Sequence, residues 1–412
     1  MVNGHDKPLM KPCPQLQLNA CQMSHLHKKV ITSSPGMGGL PPRAPHDHSR
    51  RVKNKRDYTP VPWTNYFDRS ENVQTNQGKN RFRVYIKGSS GPVVFFLHGG
   101  GFSGLTWSLL SATLTGQVEC QCYSLDIRGH GDTHTEDDED LSIDTMARDV
   151  KEVIETIWKE DCPPIMLVGH SMGGALAVHV SHLEFVKNLA ALVVIDVVEG
   201  SAMEALSGMQ TFLQGRPKFF SSVQQAIEYN VRIGAIRNAE SARVSIVGQL
   251  KKVDNASQPT QTDVLVGNQS HEVMNTEILE EDEDGENNAE QSEPEAHVFS
   301  KPESVRLPER YEWRIDLTRT EKFWKDWFKG LSCMFLNVHV PKLLLLAGVD
   351  RLDKDLMVGQ MQGKFQMQIL PLCGHAVHED APEDVADALA NFMLRHKLTN
   401  ALEWIKPARL TC

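Results

Sequence analysis

The sequence predicts an α/β fold, in which a mostly parallel central sheet carries helices on both faces. Three short, continuously apolar runs at 93–97, 165–168 and 189–195 are typical of buried strands. Segments with helical patterns separate the runs, and the clearest of these places apolar residues at helical spacing from Met146 to Ile157. Buried strands that alternate with helices predict a parallel sheet covered on both faces.

Weaker patterns extend this arrangement in both directions along the chain. Phe82, Val84 and Ile86 alternate with polar residues, which predicts a half-buried strand. An aromatic-rich helix is expected around Trp327. The other predicted elements are strands at 120–127, 343–346 and 365–370 and helices at 103–116 and 382–395.

Composition divides the 412-residue chain into a tail and one large domain. Residues 1–56 are rich in Pro, Gly, Ser, His and basic residues and are expected to form a disordered basic tail. The domain then occupies 57–412. Between about 200 and 254 helical segments replace the strand–helix alternation, which predicts a helical lid insertion. Residues 255–304 contain the acidic run Glu280–Glu286 and are expected to form a disordered acidic loop.

The balance of charge and hydropathy limits the partners of the chain. A net charge of −10 argues against nucleic acid, and no apolar run approaches the roughly 18 residues that a membrane span needs. Eight cysteines without a C-x-x-C pair are expected to be reduced thiols. The N-terminus lacks the apolar core of a signal peptide. We therefore expect a cytoplasmic protein, and the basic cluster Arg50–Arg56 is either a nuclear-import signal or a solvated linker.

The strongest motif is Gly169-His170-Ser171-Met172-Gly173, which lies between a predicted strand and a predicted helix. Small residues two positions before and after the serine are needed because the strand and helix backbones crowd each other there. The serine at the apex adopts a strained conformation that holds its hydroxyl above the edge of the sheet. In this context the motif predicts the nucleophile elbow of the α/β-hydrolase fold, with Ser171 as the nucleophile.

A serine hydroxyl needs a base to accept its proton, and two histidines near the C-terminus are candidates. His375 directly follows the final predicted strand, in the loop expected to lie over the elbow. His378, three residues further on, is the alternative. The short distance from the strand to His375 fits the edge of the sheet better and favours His375 as the base.

The histidine in turn needs a carboxylate that holds its tautomer and stabilises the imidazolium. Asp196 and Asp350 both stand at predicted strand ends, and both preserve the chain order Ser, Asp, His. Spacing favours Asp350, because it follows the penultimate strand. The residues by themselves leave this choice open.

Backbone N–H groups must stabilise the negative charge that develops on the substrate. Leu97–Gly101 reads Leu-His-Gly-Gly-Gly and follows a buried strand, so its backbone can approach an oxyanion closely. We assign the oxyanion hole to the N–H groups of Gly100 and of Met172, the residue after the nucleophile. Asp126 and Arg128 are expected to brace loops rather than react. Clustered metal ligands and cofactor motifs are absent from the sequence, so we expect neither a metal nor a cofactor.

These groups together predict acyl transfer to water. Ser171 attacks an ester carbonyl, an acyl-enzyme forms, and His375 activates the water that releases the acid. A serine at the elbow excludes the aspartate-nucleophile branch of the fold.

Five stretches of the chain resemble the protein phosphatase methylesterase family of the α/β-hydrolase superfamily. The stretches are 60–63, 169–174, 195–200, 344–355 and 374–382. The resemblance implies an enzyme that hydrolyses the methyl ester on the C-terminal leucine of the protein phosphatase 2A catalytic subunit. It also implies that Ser171, Asp196 and His375 are the catalytic residues, which makes Asp350 structural.

Two other functions are compatible with the same residues. A generalist small-molecule carboxylesterase would use the same triad, whereas a binding protein would sequester the phosphatase, with hydrolysis secondary. In the methylesterase interpretation, the lid and the aromatic helix near Trp327 are candidate docking surfaces. If docking is needed to align the triad, activity on small esters should be weak beside activity on the intact phosphatase.

Overall fold

A mostly parallel sheet forms the centre of the protein. The computed structural model describes residues 56–253, 309–348 and 352–402. In chain order the strands within these ranges are β1 (Arg69–Thr75), β2 (Asn80–Lys87), β3 (Val93–Leu97), β4 (Gln121–Leu125), β5 (Ile165–His170), β6 (Leu189–Ile195), β7 (Phe219–Phe220), β8 (Leu250–Lys252), β9 (Tyr311–Trp313), β10 (Lys342–Leu346) and β11 (Gln366–Ile369).

The large sheet has the strand order β1-β2-β4-β3-β5-β6-β10-β11. Strand β2 pairs antiparallel with both β1 and β4. The remaining pairs of this sheet, β4–β3, β3–β5, β5–β6, β6–β10 and β10–β11, are parallel. The carboxyl ends of these parallel strands therefore share one edge, which is where ligands bind in open α/β sheets.

Helices cover both faces of this sheet, as predicted. In chain order the α-helices of the described ranges are α1 (Ser108–Thr115), α2 (Ile143–Trp158), α3 (Met172–His182), α4 (Glu199–Gln214), α5 (Val223–Arg232), α6 (Ala239–Ser245), α7 (Glu321–Phe328), α8 (Leu331–Asn337), α9 (Lys354–Met361), α10 (Val377–Asp380) and α11 (Pro382–Arg395). The side chains of β3 alternate between the two faces: Val93, Phe95 and Leu97 pack with α2 and α3, whereas Val94 and Phe96 pack with α1 and α11.

The predicted elements lie close to the observed ones, and β3, β6 and α11 have the predicted bounds. Strand β1 was not predicted. Within it, Val73 and Thr75 are buried while most of its other side chains are exposed, so no apolar alternation marks it in the sequence. Its pairing with β2 depends on the neighbouring strand rather than on its own pattern.

The chain after β6 forms a lid that contains the two predicted helical segments, α4 and α5, and a further helix, α6, that was not predicted. It also contains a small antiparallel sheet of order β7-β9-β8, which the sequence analysis did not predict. Strand β9 lies outside the predicted lid range of 200–254. It pairs with β8, although residues 254–308 between the two strands lie outside the described residues. The predicted acidic loop at 255–304 falls in that range, and residues 1–55 of the predicted tail also lie outside the described residues.

The cysteines differ in part from the expectation of reduced thiols. Cys120, Cys122, Cys162 and Cys373 are free, but Cys333 is disulfide-bonded. The expectation is wrong at Cys333, because a disulfide depends on the proximity of two side chains in space, which spacing along the sequence does not reveal. Among the described residues, no helix has the length and apolar character to cross a membrane.

Candidate active site

Ser171 occupies the sharp turn between β5 and α3. Its φ of 52° and ψ of −120° form a strained conformation for a residue with a side chain. The Ser171 N–H donates to the carbonyl oxygen of Ile195 at 3.1 Å, which ties the turn to β6. A Cβ on Gly169 would lie 2.1 Å from the carbonyl oxygen of Gly173, and a Cβ on Gly173 would lie 2.2 Å from that of Leu97. Backbone crowding therefore requires both glycines.

His375 lies in the loop between β11 and α10 and reaches Ser171. Its Nε2 is 3.0 Å from Ser171 Oγ, a distance at which a neutral imidazole accepts the hydroxyl proton. His378 is fully buried, and its Nε2 bonds to Thr106 Oγ1 at 2.8 Å. Burial holds the pKa of His378 well below its usual range. The structure thus brings His375, and not His378, to the nucleophile.

Asp196 follows the end of β6 and is the carboxylate that His375 contacts. His375 Nδ1–H donates to Asp196 Oδ2 at 2.8 Å, and the N–H of Ala347 donates to Asp196 Oδ1 at 2.9 Å. The side chain of Asp196 is fully buried, so this carboxylate is shielded from water. Asp350 lies outside the described residues. The spacing argument for Asp350 is not supported, because the carboxylate beside His375 belongs to Asp196.

His170, which the sequence analysis did not single out, supports the backbone of the histidine loop. Its Nε2–H donates to the carbonyl oxygen of His375 at 2.8 Å. The ring is fully buried, and this burial keeps the pKa of His170 well below its usual value, so the imidazole is neutral. The only signal for it in the sequence was its place beside Ser171 in the elbow motif.

The Gly-rich loop after β3 lies against the elbow, as an oxyanion loop must. A Cβ on Gly99 would lie 2.9 Å from His170 Nδ1 and 3.3 Å from Ser171 Cβ. The corresponding position on Gly100 is 3.8 Å from Met172 Sδ. Met172 is the first residue of α3, so its N–H has no partner within the helix. The Gly-rich loop therefore lies against the elbow, and the assignment of the N–H groups of Gly100 and Met172 as oxyanion donors stays a prediction.

Two buried histidines hold the Gly-rich loop in place. His98 donates from Nδ1 to the carbonyl oxygen of Gly99 at 2.8 Å, and its Nε2 accepts the N–H of Ile127 at 3.0 Å. His130 Nε2 accepts the N–H of Gly101 at 2.9 Å. Desolvation lowers the pKa of His130 to about 4, so this ring is a neutral acceptor at neutral pH. Sequence reasoning missed both roles, because they depend on loops that are distant along the chain.

Asp126 and Arg128 brace loops, as predicted. Asp126 is fully buried and accepts the backbone N–H groups of Gly104 and Asp132 at 2.6 and 2.8 Å. Desolvation raises the pKa of Asp126 to about 7. Arg128 binds both carboxylate oxygens of Asp149 at 2.7 Å in a buried ion pair. Neither side chain contacts Ser171 or His375 among the hydrogen bonds of the described residues.

Three of the aromatic side chains of helix α7 are buried rather than exposed. Trp324, Trp327 and Phe328 of α7 are buried in the core beside α2 and α3. The indole N–H of Trp327 donates to the carbonyl oxygen of Leu141 at 2.8 Å. The spacing of these three rings therefore reflects burial in the core, and docking through the exposed face of this helix stays a prediction. No group of three or more potential metal ligands occurs among the described residues.

Sequence comparison places the whole domain among known hydrolases. The family model described as the alpha/beta hydrolase family matches residues 94–388. Protein phosphatase methylesterase 1 of Mus musculus is 48% identical over 385 residues, which cover 90% of this chain and 97% of the relative. The chain belongs to the protein phosphatase methylesterase 1 family.

A second relative of this family was found in another animal. The probable protein phosphatase methylesterase 1 of Caenorhabditis elegans is 42% identical over 361 residues, which cover 87% of this chain and 84% of the relative. Among solved structures, E-2-(acetamidomethylene)succinate hydrolase has a TM-score of 0.56 at 17% identity and covers 79% of this chain and 99% of its own. At that identity the likeness shows the fold alone. The α/β-hydrolase fold and the family predicted from the sequence are confirmed.

Proposed function

We propose that the protein is a serine carboxylesterase that removes the methyl ester from the C-terminal leucine of the protein phosphatase 2A catalytic subunit. The observation that carries this proposal is the hydrogen-bonded chain from Ser171 through His375 to Asp196. It occurs in a member of a family whose relatives are named for phosphatase methylesterase activity. The oxyanion donors assigned to Gly100 and Met172 complete the groups that ester hydrolysis needs.

The geometry allows both halves of the reaction. His375 Nε2 accepts the proton of Ser171 while Oγ bonds to the ester carbonyl carbon, and the N–H groups of Gly100 and Met172 stabilise the oxyanion. The tetrahedral intermediate collapses, the bond to the methoxy oxygen breaks, and His375 protonates that oxygen so that methanol leaves. Water then loses a proton to His375 and attacks the acyl-enzyme. Collapse of the second intermediate returns the proton to Ser171 and releases the carboxylic acid, which loses its proton to water.

The alignment of the triad favours some activity without a partner. Both hydrogen bonds of His375 are at 3.0 Å or shorter in the chain alone. The protein should therefore hydrolyse a small activated ester slowly in the absence of the phosphatase. The larger contribution expected from the phosphatase is binding and orientation of the esterified tail.

The test is release of methanol from carboxymethylated phosphatase 2A catalytic subunit. We expect Ser171→Ala to lower the rate by about 10³-fold or more, because the nucleophile is lost. Ser207→Ala, at an exposed serine on α4, is the matched control and should retain the rate.

Other results would identify the rival functions. Release by neither the parent protein nor the variant, with a stable complex still formed, would support a sequestering protein. Equal catalytic efficiency on small esters and on the phosphatase would support a generalist carboxylesterase.

A further inference from the structure

Four aromatic rings form a column that runs from the core to the candidate base. Trp107, His378, His170 and His375 follow one another, with 4.1, 4.5 and 4.7 Å between successive ring centres. The first three rings are fully buried, whereas half of the His375 side chain is exposed. Only this last ring takes part in the proton transfers of ester hydrolysis.

His378 is fixed at the core end of the column. The Thr106 hydroxyl donates to Glu379, so its oxygen accepts the hydrogen bond that joins it to His378 Nε2 at 2.8 Å. The proton of His378 therefore lies on Nε2. Trp107 packs against the same ring from the core side. A hydrogen bond and an aromatic contact together hold the His378 ring in one orientation.

The two middle rings of the column are neutral. Nδ1 of His378 and Nδ1 of His170 have no hydrogen-bond partner among the described residues, so a second proton on either ring would be a buried donor without an acceptor. Burial also holds the pKa of each histidine well below its usual value. The contact between these two rings is therefore a packing contact between uncharged groups.

His170 lies between two parts of the candidate site. Its Nε2–H holds the carbonyl oxygen of His375 at 2.8 Å. Next to its Nδ1 lies the oxyanion loop, because a Cβ on Gly99 would be only 2.9 Å from that atom. Phe102 packs edge-on against the same ring, with 5.5 Å between the ring centres. A shift of the His170 ring would therefore move the base.

We propose that His378 is a positioning residue for the base: its ring holds the His170 ring in the place from which His170 fixes the backbone of His375. The inference rests on the proposed function, since it concerns the base of ester hydrolysis. A base that is displaced from Ser171 Oγ slows the proton transfer but does not weaken binding of the ester. Loss of the His378 ring should therefore lower kcat and leave KM unchanged.

Two variants of His378 separate the ring contact from the hydrogen bond. His378→Gln keeps an N–H donor for Thr106 but loses the ring, and it should lower kcat on a small activated ester about tenfold, with KM within about twofold. His378→Phe keeps a ring against His170 but loses the N–H, and its kcat should stay within about threefold of the parent value. Titration of Ser171 with an irreversible phosphonate gives the concentration of folded sites for each variant.

A double-mutant cycle tests whether His378 acts through His170. His170→Leu removes the N–H that holds the carbonyl oxygen of His375, and it should lower kcat about tenfold or more. Adding His378→Gln should cause no further loss, because the ring that His378 positions is already gone. If the glutamine variant does not fold, His378→Met, which also lacks the ring, takes its place in the cycle.

A matched control and a measurement on the unmodified protein complete the test. His179 is a buried histidine of α3 outside the column, and its Nε2 bonds to the carbonyl oxygen of Trp327 at 3.2 Å. His179→Ala should keep the parent kcat per titrated site. In the unmodified protein, ¹⁵N spectra of the histidines at pH 7 should show His170 and His378 with a proton on Nε2 alone.

Each part of the test has a result that contradicts the inference. An unchanged kcat in His378→Gln, an effect on KM alone, or an equal loss of kcat in His179→Ala would overturn it. A further tenfold loss in the double variant would show that His378 does not act through His170. A charged ring at either histidine would also overturn it. Hydrolysis of the small ester without methanol release from the methylated phosphatase would instead overturn the proposed function and leave the role of His378 in place.

Discussion

At the scale of single residues, the elbow shows how a backbone contact dictates side-chain identity. Gly169 and Gly173 face each other across the turn, and either Cβ would lie about 2 Å from a carbonyl oxygen. Real Cβ atoms do not approach backbone oxygen that closely, so a larger residue must displace the strand or the helix. The position of Ser171 above the sheet edge therefore depends on two residues that take no part in the chemistry.

A pair of glycine substitutions tests this dependence. Gly173→Ala should lower the free energy of unfolding by roughly 3 kcal/mol or more, because the new Cβ meets the carbonyl oxygens of Leu97 and His98. Gly208→Ala is the control: Gly208 lies in α4 with nothing within 4 Å of its Cβ position. The free energy of unfolding of Gly208→Ala should rise by about 0.5–1 kcal/mol, because alanine favours the helix more than glycine does. Urea denaturation measures both, and a tolerated Gly173→Ala would contradict the crowding argument.

At the scale of elements, a buried carboxylate joins the short helix α10 to the lid. Glu379 accepts hydrogen bonds from Ser241 and Ser245 of α6 at 2.7 and 2.6 Å, and from Thr106. Glu379 lies four residues after His375 in the chain. The position of the candidate base is thus tied to the lid helix.

A second carboxylate on α10 strengthens the same connection. Asp380 accepts the N–H of Gly374 at 2.6 Å and the N–H of Arg237 at 2.7 Å. The guanidinium of Arg237 also donates to the carbonyl oxygen of Leu372 at 2.7 Å. Arg237, two residues before α6, therefore holds the chain on both sides of His375, so a displaced lid would displace the histidine.

The titration of Glu379 should appear in the pH dependence of stability. Desolvation raises its pKa to about 7, and the three hydroxyl groups lower it only in part. A raised pKa stabilises the fold at low pH, where the carboxyl is protonated in both states, and this contribution is lost as pH rises through 7. The free energy of unfolding of Glu379→Gln should thus fall less between pH 5 and pH 8 than that of the parent protein. We expect a difference of roughly 1–3 kcal/mol.

Urea denaturation at the two pH values measures this difference. Glu240→Gln, at an exposed carboxylate of α6, is the control. Its free energy of unfolding should change with pH as that of the parent protein does. Asp126, whose pKa is also raised to about 7, will contribute a slope of the same sign in every variant. If the free energy of unfolding of Glu379→Gln changes with pH as much as that of the parent protein, the Glu379 carboxyl has the same pKa in the folded and unfolded states.

At the scale of the whole molecule, the small lid sheet brings two positions together that are more than 50 residues apart in the sequence. Lys252 of β8 pairs with Tyr311 of β9, and the N–H of Val253 donates to the carbonyl oxygen of Arg310 at 2.8 Å. The two ends of the segment 254–308 are therefore neighbours in an antiparallel pair. Antiparallel strands can be joined by a very short turn, so the fold does not need the length of this segment.

Replacing residues 254–308 with a short Asn-Gly turn should leave the fold and ester hydrolysis intact. The melting temperature should change by only a few degrees, because the paired strands β8 and β9 already set the distance to be closed. Hydrolysis of a small activated ester should stay within about twofold of the parent rate. A variant that does not fold would show that the segment contributes to the core, and a folded variant without esterase activity would give it a role at the site.

The chain by itself determined the nucleophile and most elements of the large sheet, because the contacts that fix them join residues close in sequence. The glycines on either side of Ser171 and the buried strand before it are such features. The partners of Ser171 were decided by tertiary structure: His375 and Asp196 meet 179 positions apart, because β6, β10 and β11 are adjacent in the sheet. Spacing along the chain favoured Asp350 instead. Strand order and packing between distant segments also decided which histidines hold the site loops and how the lid sheet forms. These features depend on contacts between distant residues, so local sequence patterns do not predict them.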